Sequence, residues 1–128
     1  MRVLLDTHTF LWWTANDPFL SSAATEIICN QQNVCFLSLA SCWEIAIKSS
    51  IGKLRLTVQV ERFILDQIAE DGFVLLPIEF RHIAKVERLA FHHRDPFDRL
   101  LVAQCITEKM AIVSADKSLD LYGIKRIW

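Results

Sequence analysis

"RVLLD" (residues 2–6) sets three consecutive apolar side chains, Val3, Leu4 and Leu5, between an arginine and an aspartate. A strand with one wet face alternates apolar with polar residues, and this run does not. Strands covered on both faces read this way, as in a parallel sheet with helices above and below. Four more short, almost wholly apolar runs share the character: "VCFLS" (34–38), "FVLLP" (73–77), "AIVS" (111–114) and "IKRIW" (124–128).

Helical periods separate the runs. Phe10 to Asn16 is a short one. Ser21 or Ser22 can cap a second, with Ala24, Ile27 and Ile28 on one side. Ala40 to Ser50 is a third, stopped by Gly52, and Val60, Phe63, Ile64 and Ile68 mark a fourth, ended at Gly72. Phe80 to Ala90 gives a fifth and Pro96 to Met110 a sixth; a turn at Lys117–Leu121 precedes the last strand. The alternation predicts an α/β fold: a three-layer α/β/α sandwich around a short, mostly parallel five-stranded sheet, one domain over residues 1–128.

The totals agree with that size of core. Apolar residues make up 52% of 128 residues, and three Gly and three Pro leave no room for a low-complexity segment. The net charge of −1 excludes a wholly basic nucleic-acid binder, so any polyanion must meet a local patch or a bound metal. Cys29, Cys35, Cys42 and Cys105 lack C-x-x-C spacing and read as free thiols of a reducing compartment. Asp6 interrupts the one candidate leader, and no run reaches the roughly 18 apolar residues of a membrane span. A soluble, cytoplasmic protein is the expectation.

In an open parallel sheet, ligands bind outside the carboxyl ends of the strands. Asp6 directly follows "RVLL", and Asp116 lies two residues past "AIVS". Glu44 falls in the first two turns of the helix after "VCFLS". Asp98 shares a helix face with Leu101, Val102, Cys105 and Ile106, which puts a carboxylate on a core-facing stripe at the crevice end. Each has a local explanation as well. Asp6 can close a turn. Glu44 can complete a capping box with Ser41 in "SCWE" (41–44), or pair with Lys48 four residues on. Asp116 can cap the following turn, and Asp98 can complement a helix dipole. Taken together, four carboxylates at one crevice would repel one another unless a divalent cation joined them. An oxygen donor set without Cys favours Mg²⁺ or Mn²⁺, which suits phosphoryl chemistry.

"HHRDPFDRLLVAQ" (92–104) contains two aspartates with different prospects. Asp95 precedes Pro96, and proline prefers the first helical position, so Asp95 is the natural N-cap. Asp98 then falls at the third helical position, turned toward the crevice.

With "LLDTHTFLWW" (4–13), "SLASCWEIAIKSSIGKLRL" (38–56) and "VSADKSLDLYGI" (113–124), this stretch resembles the PIN-domain ribonucleases, specifically VapC-type toxins of type II toxin–antitoxin pairs. The matching stretches occur in the family's order over nearly the whole chain; Thr57 to Lys85 carries little motif. The resemblance implies a Mg²⁺- or Mn²⁺-dependent endoribonuclease in which Asp6, Glu44, Asp98 and Asp116 form the acidic quartet, with Ser114 as supporting residue. It also implies a homodimer inhibited by a cognate antitoxin protein that inserts a segment over the site. Trp12, Trp13 and Phe19 could contribute to such a partner surface or pack internally.

An RNA substrate must meet positive charge. Without the four site carboxylates the remainder of the chain carries +3. Arg94, Arg99 and Lys117 neighbour the predicted site and are candidate RNA contacts, as is His8, two residues after Asp6. Arg81, Lys85 and Arg88 share a helix face, for which solvation is the commoner explanation. His92 and His93 can bind phosphate or lie in a solvated loop. Two rival functions remain at this stage: a receiver-like phospho-acceptor domain, which would want an aspartate ending the third strand where "FVLLP" has none, and a non-catalytic PIN-fold binding module.

Overall fold

Strands β1 (Arg2–Leu5), β2 (Val34–Ser38), β3 (Val74–Leu76), β4 (Ala111–Val113) and β5 (Arg126–Ile127) form one sheet in the order β3-β2-β1-β4-β5. Every pairing is parallel, with Leu4 opposite Phe36 on one side and Ile112 on the other. A computed structural model of the chain provides these coordinates and describes residues 1–128.

Successive strand residues serve opposite faces, which is why the runs show no polar alternation. Val3, Leu5, Cys35, Leu37 and Val113 join a core with Phe10, Ala24, Ile45 and Ile64. Those four come from helices α1 (Thr7–Thr14), α2 (Ser22–Cys29), α3 (Leu39–Ser50) and α4 (Val60–Asp71). Leu4 and Ile112 point the other way, toward Leu101, Val102 and Cys105 of α6 (Pro96–Glu108). α5 (Phe80–Glu87) packs beside α6. Fully buried side chains such as Leu4, Leu5 and Leu37 each stabilise the fold by roughly 1.5–3 kcal/mol. The three-layer expectation therefore holds, and no helix is long and apolar enough to cross a membrane.

The boundaries differ in instructive places. α1 begins at Thr7, not Phe10, because the Asp6 carboxylate accepts the Thr9 N–H and starts the helix early. α3 begins at Leu39 with Ser38 as its N-cap, so Ser41 and Glu44 form no capping box. The last helical piece, Lys117–Tyr122, is a 3-10 turn, ended by Gly123 at φ 73°.

The strand order also decides between folds. A receiver-like domain is built in the order 2-1-3-4-5. Here β1 is central between β2 and β4, which contradicts the receiver-like alternative. Connections leave β1 toward one edge and reach β4 on its other side. The reversal of strand order therefore lies between β1 and β4, where a crevice opens at the strands' carboxyl ends.

Candidate metal centre

The carboxyl ends of β1 and β4 are stitched together. The Asp6 N–H donates to Val113 O (3.2 Å), and Thr9 Oγ1 donates to the same carbonyl (2.8 Å). This fixes Asp6, 5% exposed, beside the chain that leads into Ser114 and Asp116. One oxygen of Asp6, Oδ1, takes the Thr9 N–H at 2.8 Å and caps α1. Oδ2 has no protein hydrogen bond.

Asp116 divides its carboxylate in the same way. Oδ1 accepts from the Ser118 N–H (2.9 Å) and hydroxyl (2.7 Å), capping the 3-10 turn, while Oδ2 faces His93 Nε2 at 2.9 Å. Ser114 is fully buried and its Oγ accepts the Asp116 N–H at 3.1 Å, so it sets the turn that presents Asp116. Capping and site geometry are thus compatible in one side chain.

Asp95 N-caps α6, its Oδ1 accepting the N–H groups of Phe97 (2.8 Å) and Asp98 (3.3 Å). That start aims Asp98 into the crevice, where its Oδ2 lies 3.3 Å from His93 Nε2. One ligand atom each of His93, Asp98 and Asp116 falls within 4.8 Å of the others, close enough to hold one ion. Burial, then the charge of Asp95, pushes the Asp98 carboxyl up to about 7; Asp6 and Glu44 add to the rise and His93 opposes it. Asp116 goes the other way: burial pulls it upward, but its hydrogen bonds from Ser118 and His93 outweigh that and leave it below the ordinary carboxylate value.

Glu44 is buried on α3 and both of its oxygens are occupied. Thr7 Oγ1 donates to Oε1 (2.8 Å) and lies 2.9 Å from Ser41 Oγ, and Lys48 Nζ holds Oε2 at 2.7 Å. The pairing with Lys48 that spacing suggested is present, yet it does not remove Glu44 from the crevice, since its charge still acts on Asp98. The donor chemistry fits a hard divalent cation. Asp98 and Asp116 converge with His93, Asp6 and Glu44 lie near enough for their charge to act on Asp98 without joining that cluster, Asp98 can hold a proton near neutral pH, and no thiol is among them.

The basic candidates separate. Arg94 and Lys117 are exposed beside the site, and His8 is exposed on α1 with its ring 5.5 Å from that of Trp12. Arg99 lies largely inside the fold. It is 8% exposed, donates through Nη1 to Ala90 O (3.0 Å) and Tyr122 Oη (3.1 Å) and through Nη2 to Val86 O (3.2 Å), and lies over the Phe91 ring. Three internal acceptors take three of its five N–H donors, and the buried guanidinium braces the loop that carries His93 and Asp95 rather than standing free at the surface like Arg94 and Lys117. Arg81 of the predicted basic face is paired with Glu79 and Glu108. Those two glutamates and His82 also form a compact group, but His82 Nδ1 accepts the Glu79 N–H and caps α5, so that cluster is a helix cap joined to an ion pair.

The sequence did not single out Thr7, named Ser41 only as a helix cap and Lys48 only as a helix partner, and left His93 open. Thr7 meets Ser41 and Glu44 from 34 and 37 residues away and His93 meets Asp116 from 23, contacts that local spacing does not mark. The one available signal was for His93, two residues before the cap of a helix that carries a buried aspartate.

Comparison with known proteins agrees with this fold. The chain superposes on VapBC2 from Rickettsia felis bound to a promoter DNA fragment with a TM-score of 0.73, at 12% identity, covering 98% of this chain and 97% of that one. DNA-bound VapBC from Salmonella typhimurium gives a TM-score of 0.71 at 13% identity, covering 98% and 96%. VapBC-1 from nontypeable Haemophilus influenzae gives 0.66 at 13%, again covering 98% and 96%. At such identities the likeness is one of fold. By sequence, no curated protein matches the chain. The PIN domain model, however, matches residues 3–125, and with that span the chain belongs to the PIN-domain family.

Proposed function

We propose that this protein is a divalent-metal-dependent endoribonuclease and the toxin of a toxin–antitoxin pair. The observation that carries the reading is the convergence of Asp98, Asp116 and His93 within 4.8 Å, with Asp6 and Glu44 close enough to raise the Asp98 pKa. Asp6, Asp98 and Asp116 would hold Mg²⁺ or Mn²⁺. Glu44, already held by Thr7 and Lys48, adds negative charge around it. When bound, such a cation acidifies water and neutralises charge developing on a phosphodiester, giving 5′-phosphate and 3′-hydroxyl ends.

The chain's own groups do the positioning. Asp95 fixes the first turn of α6, Ser114 and Ser118 hold Asp116, and His93 Nε2 donates toward the two aspartates from the loop side. Arg94, Lys117 and His8 are exposed and lie within two residues of Asp95, Asp116 and Asp6, and they would steer a polyanion to the site despite the overall −1 charge. The solved structures of the same fold include VapBC complexes, which supports a protein antitoxin as partner; a homodimer is the assembled form that goes with this reading. Brief induction of the chain in bacteria tests this, with total RNA mapped for new 5′-phosphate ends. New ends with the wild type and none with Asp116→Asn are expected; identical RNA in both would sink the reading.

A further inference from the structure

Beside the carboxylates, α1, the end of α3 and the segment after it enclose a groove of about 630 Å³, within the about 300–1,000 Å³ typical of ligand sites. Two of its lining residues, His8 and Lys48, connect it to the candidate metal centre. His8 lies two residues past Asp6, and Lys48 lines the groove while its Nζ binds Glu44 at 2.7 Å. No carboxylate lines it. Lys53 and Arg55 on its rim are exposed and make no ion pair or side-chain hydrogen bond, although the chain as a whole is acidic. Half of the lining is apolar and includes Trp12, whose half-buried indole packs with Phe19 (4.6 Å) and Trp128 (5.6 Å) and meets His8 at 5.5 Å.

We propose that this groove seats a nucleotide of single-stranded RNA next to the phosphodiester at the carboxylates. The base would pack on Trp12 and His8, and Lys53 and Arg55 would take the flanking phosphates. The inference rests on the nuclease reading and adds to it where the strand lies. Unpaired cations on one rim and an aromatic face on the wall are what a single strand requires, because every base has a stacking face and every linkage a charge. A duplex hides its bases and would leave the wall unused. A protein segment would gain from the apolar wall, but nothing in the groove would answer its backbone except cations.

The test uses the full chain, a fluorescein-labelled ten-nucleotide single-stranded RNA and excess chelator, so that binding is read by anisotropy without cleavage. Lys53→Ala with Arg55→Ala is expected to weaken binding about tenfold and to flatten the dependence of log K on log salt by about 1.4, for two lost phosphate contacts. Trp12→Leu is expected to weaken it about tenfold with the salt slope unchanged. The matched control is Lys109→Ala with Lys125→Ala, at the opposite end of the strands beside Met1 and Arg2, and it should bind like the wild type. Wild-type affinity in the Lys53/Arg55 variant, or equal weakening in both double variants, would overturn the proposal; the first result would leave the groove to a protein segment. Cleavage of the same RNA with Mn²⁺ keeps the two readings apart. Groove-dependent binding without cleavage would count against the nuclease, whereas cleavage with an unchanged KM in the Lys53/Arg55 variant would count against the groove.

Discussion

His93 Nε2 stands 2.9 Å from Asp116 Oδ2, and Nδ1 of the same ring accepts the Asp95 N–H at 3.1 Å. Because Nδ1 is an acceptor, the proton of the neutral ring sits on Nε2 and points at the aspartates. The loop residue thus holds the helix cap with one nitrogen and faces the Asp98 and Asp116 carboxylates with the other.

From this follows the expected behaviour of His93→Ala. Losing the donor removes an influence that lowers both carboxylates, so Asp98 should titrate above about 7 and Asp116 should rise toward its ordinary value. Carboxyl-carbon NMR titration of the metal-free variant reads both. Unchanged values would show that the ring does not govern the pair.

The raised Asp98 pKa has a sign for stability. The folded state keeps its proton up to about 7 and the unfolded chain only to the ordinary 3.8, so the folded state binds more protons between those values. Asp98 is therefore harmless below about pH 4 and lowers stability progressively as pH rises through 7, by up to about 4 kcal/mol. Asp98→Asn should melt higher than the wild type at pH 8 in chelator and equally at pH 3.5. A cation must displace that proton, so Mn²⁺ affinity measured by calorimetry should climb with pH up to about 7 and then level off.

Asp95 and Asp98 should fail differently. Asp95→Ala loses two cap hydrogen bonds and should cost about 0.5–2 kcal/mol in denaturant unfolding, with Mn²⁺ binding weakened but present. Asp98→Ala should keep the fold and lose the metal. A reversal of the two phenotypes would mean the roles are exchanged.

Arg99 is predicted to act on stability rather than on RNA affinity. Arg99→Ala strands the Val86 and Ala90 carbonyls and should cost about 2–4 kcal/mol. Arg99→Lys should recover little, since one ammonium cannot reproduce the planar fork. Lys117→Ala, at an exposed position, should leave unfolding unchanged and weaken RNA binding.

Much of this was legible in the chain because it depends on local pattern. "RVLL" and "AIVS" announce strands buried on both faces, and parallel pairing then sends Asp6 and Asp116 to the same end. Pro96 marks the start of α6 and so tells Asp95 from Asp98. Spacing could not show what a side chain meets across the fold. Ser41 looked like a cap because it precedes Glu44 by three, but the chain turns into α3 earlier, at Ser38, and Ser41 meets Thr7 from α1 instead. Arg99 looked like a substrate contact from its neighbours in sequence; the 88–95 loop folding back over it made it internal. Strand order, which excludes the receiver-like alternative, is likewise a property of the assembled sheet.

The central claim is that the carboxylates at the ends of β1 and β4, with Asp98 of α6, form one metal-dependent RNA-cutting centre. Its most direct measurement is cleavage of a labelled single-stranded RNA by the purified wild type with Mn²⁺, by the wild type with excess chelator, and by Asp98→Asn with Mn²⁺. Cutting in the first reaction alone, at sites abolished by the other two, is the predicted result; equal cutting in all three, or none in the first with Mn²⁺ shown to be bound, would contradict it.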